Sequence, residues 1–176
     1  MIFKKAKLQG VFIIEPEMLT DERGAFARTY CRKELEDRGL NANIAQCSTS
    51  LNTKKGTLRG MHFQTKPYNE AKLIRCTRGN IYDVIVDLRS DSPTFTKWIA
   101  VELSDENRKM VYVPEGFAHG FQTLTDNAEV FYQISQFYSP EHAGGFRWND
   151  PSFNIDWPPD HRIISSKDQS YPDFDL

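Results

Sequence analysis

The chain has 176 residues, of which 39% are hydrophobic and 26% charged, and its formal net charge at pH 7 is −2. This composition is typical of a folded globular protein and excludes a disordered or collagen-like chain. The nearly balanced charge does not favour nucleic acid as a partner, and no apolar run approaches the roughly 20 residues that a membrane-spanning helix needs. We therefore expect a single domain over residues 1–176 that binds neither nucleic acid nor a membrane.

The cysteines and the first residues of the chain indicate a compartment. Cys31, Cys47 and Cys76 cannot all pair with one another, and no two of them have CxxC spacing. The basic residues at the start are not followed by an apolar segment, so no signal peptide is visible. These features favour a cytoplasmic protein with reduced thiols, and we interpret the cysteines as small buried apolar side chains.

Taken in chain order, the predicted elements are mostly strands. Strands over 12–15 and 24–30 precede a helix over 32–38 that Gly39 ends. Residues 72–77 and 81–88 form a hairpin around the turn Arg78-Gly79-Asn80. Further strands are predicted over 98–103, 110–113, 120–124 and 130–138, with one helical turn over 104–109. Many strands and few helices predict an all-β sandwich or barrel.

The stretch after Tyr138 is rich in proline, aspartate and glycine, yet it carries several large apolar side chains. These are Phe146, Trp148, Phe153, Ile155 and Trp157. Leaving them in water would be costly, so we expect an ordered but irregular C-terminal wrap.

The strand over 81–88 has apolar residues at its even positions and two carboxylates, Asp83 and Asp87, at odd positions. Period-two geometry sends the two sets to opposite faces. We expect both carboxylates to meet solvent or to cap turns. If the odd face instead lined a barrel interior, Asp83 would need a cationic or hydrogen-bonding partner.

Histidine is the side chain best suited to proton transfer near neutral pH, because its ordinary pKa is about 6.5. We expect His142 and His161 to lie at the surface. His62 and His119 lie in glycine-flanked segments between predicted strands, LRGMHFQ (58–64) and PEGFAHGFQ (114–122). Either one taken alone is also compatible with a core histidine whose hydrogen bonds are satisfied.

The two segments resemble the paired motifs of the cupin superfamily, a small jelly-roll barrel. The matching positions are Gly56, His62, Gln64, Glu70 and Gly79, and then Pro114, Gly116, His119 and Thr123. In metal-dependent cupins two histidines, the glutamate and the later histidine bind the metal. Gln64 replaces one histidine here, and a neutral amide is a poor ligand for a transition metal. We therefore expect no metal, with a site built from His62, Glu70 and His119 as the alternative.

A longer series of motifs resembles one family within that superfamily. In chain order these are LRGMHFQ, KLIRCTRG, YDVIVDLRSDSPTF, VPEGFAHGFQTL, AEVFYQISQFYSP, RWNDPSFNIDWP and SSKD. Together they resemble the dTDP-4-dehydrorhamnose 3,5-epimerase family, metal-free sugar-nucleotide epimerases of the cupin fold, from DERG (21–24) to Asp168. The resemblance implies a homodimeric isomerase without a cofactor, acting on a nucleotide-diphospho-4-keto-6-deoxyhexose in deoxysugar and polysaccharide biosynthesis. It would invert C3, C5 or both.

Such a reaction needs a base on one face of the sugar, an acid on the other, and a cation near the enolate oxygen, because the C–H bonds beside the C4 ketone are acidic. The resemblance assigns these roles to four residues. His62 is the base, Asp168 its carboxylate partner, Lys72 the enolate stabiliser and Tyr132 the acid. Taken singly, each side chain has a purely structural explanation, but as an ordered set they favour catalysis.

The resemblance also implies substrate contacts. Arg23 and Arg59 match ligands of the diphosphate, and Phe26 matches an aromatic of the nucleotide site that is reached across a dimer interface. The other matching positions are Gln46, Ser48, His119, Tyr138 and Lys167. For Arg23 an exposed turn charge is an equally good explanation.

Three positions depart from the family pattern. Arg28 and Ala143 each replace a glutamate, and Ser48 replaces an asparagine. We infer that the reaction type is kept, whereas the nucleobase and the sugar stay open. A rival from another class is a non-catalytic sugar-nucleotide-binding cupin, but binding alone would require neither a base nor an acid.

Overall fold

The structure, a computed structural model, describes residues 1–175. The strands of this part of the chain are β1 (Ile2–Lys5), β2 (Phe12–Glu15), β3 (Leu19–Asp21), β4 (Gly24–Phe26), β5 (Gln46–Asn52), β6 (Thr57–Gln64), β7 (Lys72–Arg78), β8 (Asn80–Asp87), β9 (Trp98–Ser104), β10 (Met110–Val113), β11 (Phe117–Thr123), β12 (Ala128–Ile134), β13 (Ala143–Gly145) and β14 (Ile163–Ile164). The helices are α1 (Arg32–Glu36) and α2 (Ser166–Ser170). Neither helix of the described chain is long and apolar enough to cross a membrane.

Two antiparallel sheets make the barrel. The first sheet has the strand order β1-β2-β10-β7-β12-β5, and the second has the order β13-β6-β11-β8-β9. The short strand β14 pairs with β6 in the second sheet and is the one parallel pairing of the described chain. Their inward side chains form a shared apolar core that includes Ile74, Ile85, Val111, Phe121 and Val130. The predicted jelly-roll architecture with few short helices is therefore confirmed.

The β7–β8 hairpin forms as predicted, because its turn residue meets the conformational demand of the connection. Gly79 has a φ of +75°, a left-handed conformation that costs glycine little. Gly39 after α1 also has a positive φ, +69°, as expected for a glycine that ends a helix.

Several predicted boundaries are wrong. The strand predicted over 24–30 ends at Phe26, and the one predicted over 130–138 runs from Ala128 to Ile134. Residues 104–109 form a hydrogen-bonded turn rather than a helix. The Ser104 N–H donates to the side-chain oxygen of Asn107, and the Asn107 N–H donates to the Ser104 hydroxyl. A turn suffices here because these short polar side chains replace the backbone bonds of a helix.

The two motif segments lie within strands rather than between them. LRGMHFQ belongs to β6, and the His119 segment belongs to β11. The sequence did not show these strands, because glycines weaken the pattern of a strand. In the structure the same glycines let the two backbones approach closely. A Cβ on Gly60 would lie 2.6 Å from the Cα of Gly120 on the neighbouring strand. The polar edge strand β5 was missed because its sequence, QCSTSLN, lacks the apolar alternation of a half-buried strand.

The cysteines and the strand carboxylates differ from expectation. Only Cys76 is buried; Cys31 is partly exposed and Cys47 exposed, so the interpretation of all three as buried side chains is wrong. Asp87 caps the turn after β8, accepting hydrogen bonds from Ser92 and Thr94, but it does so while buried. Asp83 is fully buried and belongs to the site described below.

The C-terminal segment wraps over the outer face of the second sheet, as predicted. Phe146 and Phe153 stack with ring centroids 4.4 Å apart, and Phe174 packs edge-on against Phe146 at 5.6 Å. The wrap contains β13, β14 and α2, which the sequence pattern did not predict. Its packing carries α2, and with it Asp168, back to the barrel.

Candidate active site

A cavity of about 360 Å³ opens at one end of the barrel between the two sheets. Its lining comprises Gln46, Ser48, His62, Phe63, Gln64, Glu70, Lys72, His119, Tyr132, Ile134, Tyr138, Ala143, Gly144, Lys167 and Tyr171. Eight of the twelve residues that the sequence indicated are in this list. A ninth, Asp168, stands directly behind His62.

Strand register places the central side chains. On the second sheet His62 of β6 is the pairing partner of His119 of β11. On the first sheet Tyr132 of β12 pairs with Ser48 of β5. The two sheets are in contact at this end of the barrel. The rings of His119 and Tyr132, one from each sheet, lie edge to face with their centroids 6.0 Å apart.

His62 forms a hydrogen-bonded pair with Asp168. His62 Nε2 lies 2.7 Å from Asp168 Oδ1, and the Gly60 N–H donates to Oδ2 of the same carboxylate at 3.3 Å. Asp168 is positioned by the start of α2, where its N–H donates to the Ser165 hydroxyl. Burial would raise the pKa of Asp168, but the hydrogen bond from His62, together with the other bonds to the carboxylate, holds that pKa below its ordinary value.

His119 forms a second pair, with Asp83. His119 Nε2 lies 2.6 Å from Asp83 Oδ1. The expectation that Asp83 meets solvent or caps a turn is wrong: the odd face of β8 lines the barrel interior, where the imidazole satisfies one carboxylate oxygen. Within residues 1–175, Asp83 Oδ2 has no hydrogen-bond partner. Burial raises the pKa of Asp83, and the neighbouring His119 and Lys72 oppose that rise.

Tyr132 is held as a neutral phenol. Burial raises its pKa well above the ordinary value of about 10, the negative charge of Asp83 adds to the rise, and the positive charge of Arg59 opposes it. A phenol in this environment keeps its proton at neutral pH and loses it only to a strong base. An enolate carbon is such a base.

Lys72 points into the cavity with a carboxylate beside it. Its Nζ lies 2.9 Å from Glu70 Oε1, and both side chains are 12% exposed. The other oxygen of Glu70 accepts a 3.0 Å hydrogen bond from Gln64. The Lys72 ammonium is therefore held by a carboxylate at the cavity wall, and Lys167 brings a second ammonium to the same cavity.

Three expected binding residues do not line the cavity within this chain. Arg23 and Phe26 lie on the exposed β3–β4 hairpin, where Phe26 is 72% exposed and Arg23 pairs with Asp21. Arg59 is exposed on β6 and donates to Asn52 at 2.8 Å.

The remaining expected contacts are brought together, and one further side chain joins them. Gln46, Ser48, Tyr138 and Lys167 line the cavity. Sequence reasoning missed Tyr171, whose ring lies edge-on to His62 with centroids 5.9 Å apart. The sequence signal that could have found it is its position three residues after Asp168, which ends the SSKD motif.

The three departures from the family pattern have different locations. Ser48 and Ala143 line the cavity. Arg28 does not; its guanidinium lies 3.6 Å from Glu34 on α1. Two of the three substitutions therefore fall where a ligand would be contacted.

The candidate metal ligands are engaged elsewhere. His62 and His119 each bond a carboxylate through Nε2, and Glu70 bonds Lys72 and Gln64. Among residues 1–175, no group of three histidine, cysteine, aspartate or glutamate side chains is arranged to hold a metal ion.

A jelly-roll barrel whose open end holds a histidine–aspartate pair, a neutral tyrosine and a lysine defines the class: a cupin-fold sugar-nucleotide epimerase. Residues 5–175 match the family model described as dTDP-4-dehydrorhamnose 3,5-epimerase. The chain belongs to this family, whose members are isomerases.

Individual relatives agree along nearly the whole chain. The dTDP-4-dehydrorhamnose 3,5-epimerase of Shigella flexneri is 43% identical over 175 residues, covering 97% of this chain and 96% of its own. The crystal structure of the Elizabethkingia anophelis enzyme of that name superposes with a TM-score of 0.95 at 42% identity, covering 99% and 96%. An epimerase from Legionella pneumophila, crystallised with dTDP-4-keto-L-rhamnose, superposes with a TM-score of 0.90 at 33% identity, covering 99% of both chains.

Proposed function

We propose that this protein epimerises a dTDP-linked 4-keto-6-deoxyhexose at C3 and C5, producing the 4-keto-L-rhamnose configuration. One observation carries the proposal: a solvent-reachable histidine–aspartate pair and a partly buried, neutral tyrosine share a single cavity. Family membership supplies the substrate class, and the Legionella relative was crystallised with a nucleotide sugar of that kind.

His62 acts as the base in this proposal. Its Nε2 is engaged by Asp168, so Nδ1 takes the proton from the carbon beside the ketone. The ionised Asp168 fixes the ring tautomer and stabilises the imidazolium that forms. With its side chain 41% exposed, His62 can then lose the proton to water before the second centre reacts.

Lys72 stabilises the enolate oxygen that develops at C4. The Lys72 side chain is only 12% exposed, and a charged donor held in place and partly removed from water stabilises such a charge more strongly than solvent does. Tyr132 returns a proton to the carbon from the face opposite His62 and becomes a phenolate. The phenolate takes up a proton from water through the cavity that it lines before the second centre reacts. Proton delivery from the opposite face inverts the centre, whereas return from His62 restores the starting configuration.

The nucleotide part of the substrate requires residues beyond the cavity. We propose that a second copy of the chain packs so that its β3–β4 hairpin brings Arg23 and Phe26 to the site, with Arg59 as a further diphosphate ligand. The exposure of this hairpin supports the proposal, since Phe26 is 72% exposed and Leu19 is 69% exposed. Sedimentation should give the mass of a dimer, and Phe26→Ala should weaken dTDP binding. A monomer of full activity would contradict the proposed dimer.

The proposed location of the protein is the cytoplasm.

The experiment that tests the function is incubation with dTDP-4-keto-6-deoxyglucose in heavy water, followed by proton NMR. We expect deuterium at both C3 and C5 of an inverted product. Deuterium at one carbon alone would reduce the proposal to a single epimerisation, and no exchange would contradict it.

The metal-dependent alternative is tested on the same preparation. Stoichiometric metal by elemental analysis, with turnover lost on chelation and restored by that metal, would favour it. We expect turnover to be indifferent to a chelator.

A further inference from the structure

Lys72 is paired with a carboxylate to which the proposed reaction assigns no role. Glu70 Oε1 lies 2.9 Å from Lys72 Nζ, and each side chain is only 12% exposed. Because the pair is largely removed from water, salt and solvent screen it much less than a surface ion pair. An ammonium has three N–H donors, so the bond to Glu70 leaves two for an oxygen of a ligand.

Glu70 is itself held by a buried amide. Gln64 Nε2 donates to Glu70 Oε2 at 3.0 Å and to the carbonyls of Tyr68 and Phe137 at 2.8 and 3.2 Å. Gln64 Oε1 accepts from the Ser139 N–H at 2.7 Å. All polar atoms of this side chain are therefore in use, and the amide cannot turn without losing bonds. It fixes Glu70 relative to loops on two sides of the cavity.

The backbone beside Glu70 is fixed as well. The Ala71 N–H donates to the Ser135 hydroxyl at 2.8 Å, and the Ser135 N–H donates to the Ala71 carbonyl at 3.0 Å. This double contact ties the segment between Glu70 and Lys72 to the chain just after β12, the strand that carries Tyr132. Main chain and side chain of Glu70 are thus both immobilised.

We propose that Glu70, held by Gln64, is a positioning residue that fixes the Lys72 ammonium where the enolate oxygen forms; this rests on the function proposed above. A lysine side chain is long and flexible, and it stabilises a developing charge well only if its position is set before the reaction. Asp83 also faces Lys72 but directs one oxygen to His119. Glu70 is the carboxylate in direct contact.

A double-mutant cycle separates this role from a general structural one. We expect Glu70→Ala to lower kcat by about 10²-fold with KM changed less than about threefold, the loss typical of a misplaced oxyanion donor. In a Lys72→Ala background the same substitution should change kcat by less than about threefold, because Glu70 acts only through Lys72. Glu70→Gln keeps an acceptor for the ammonium and should recover about tenfold relative to Glu70→Ala. Glu106→Ala, at an exposed carboxylate, is the control.

An equal loss of kcat in both backgrounds would overturn the proposal, as would an unchanged kcat in Glu70→Ala. A second experiment needs no substrate, so it tests the role of Glu70 independently of the proposed function. The intact protein is competitively acetylated, and peptide mass spectrometry compares the labelling rate of Lys72 with that of exposed Lys97. Release from Glu70 should speed labelling of Lys72 by about threefold or more in Glu70→Ala, with Lys97 unchanged, because a nitrogen freed from a charge-assisted hydrogen bond is more available to the reagent. Equal rates would mean that Glu70 does not hold Lys72, whereas a wild-type protein without turnover would contradict only the proposed function.

Discussion

Two histidines on neighbouring strands each pair with an aspartate, and the two pairs differ mainly in exposure. His62 and His119 are register partners, and their Nε2 atoms are 2.7 and 2.6 Å from Asp168 and Asp83. The side chain of His62 is 41% exposed, and that of His119 is 6% exposed. The pKa of Asp168 lies below the ordinary aspartate value, whereas burial raises that of Asp83.

Two pairs of the same residue types therefore differ in what they can do because they differ in burial, and the exposed pair is the one suited to proton transfer. A base must reach its substrate and then exchange its proton with water, and the more exposed His62 pair is better placed to do both. His119 lines the same cavity, but it lies between the sheets against Tyr132 and its side chain is only 6% exposed. We therefore expect the loss of His62 to lower mainly the activity, and the loss of His119 to lower mainly the stability.

The largest effect should come from His62→Ala. Removing a general base typically costs about 10²- to 10⁴-fold in rate, and here both centres depend on it, so we expect kcat to fall by about 10³-fold or more. The free energy of unfolding should fall by about 1 to 2 kcal/mol, because Asp168 loses one hydrogen bond but keeps the one from the Gly60 N–H. Steady-state kinetics and urea unfolding measure the two. His161→Ala, at an exposed histidine, should leave both unchanged.

His119→Ala should lower the stability of the protein more than His62→Ala does. Its removal leaves Asp83 buried without its partner, and breaking such a pair typically costs about 3–5 kcal/mol. For a chain of this size that corresponds to a Tm lower by roughly 10 °C or more. If differential scanning calorimetry found the Tm of His119→Ala within a degree of that of His62→Ala, the distinction between the two pairs would be lost.

The smallest effect is in acid stability and concerns Asp168. Its folded-state pKa lies below the unfolded value of about 3.9, so its contribution to stability is complete above that pH. The contribution is lost as pH falls through the folded-state pKa. Asp168→Asn, which cannot titrate, should therefore show a flatter fall in the free energy of unfolding below about pH 4. Parallel curves from urea titrations between pH 2.5 and about 6 would contradict this.

Much of the fold could be predicted because local patterns and tertiary packing agree. The strand over 81–88 has apolar alternation, and Gly79 suits the turn before it, so the β7–β8 hairpin was found. The elements that were missed lack such local agreement. β5 is a polar edge strand, β6 is interrupted by Gly60, and α2 is held by contacts with distant residues.

The site was predictable as a set of residues but not as an arrangement. Motifs in order along the chain identified the lining side chains, since each motif is specific in residue type. The prediction for the burial of Asp83 was wrong because period-two alternation shows which face of the sheet a side chain takes. It does not show whether that face is exposed to solvent or packed in the core. The contact between Glu70 and Gln64 depends on a loop conformation that no local pattern encodes.

The ratio of deuterium exchange to inversion in Tyr132→Phe, measured by NMR in heavy water, decides whether His62 and Tyr132 work from opposite faces of the sugar. We expect that deuterium still enters beside the ketone, because His62 is intact, while inversion falls by about 10²-fold because the opposite-face acid is gone. Equal loss of exchange and inversion, or an unchanged rate of inversion, would contradict it.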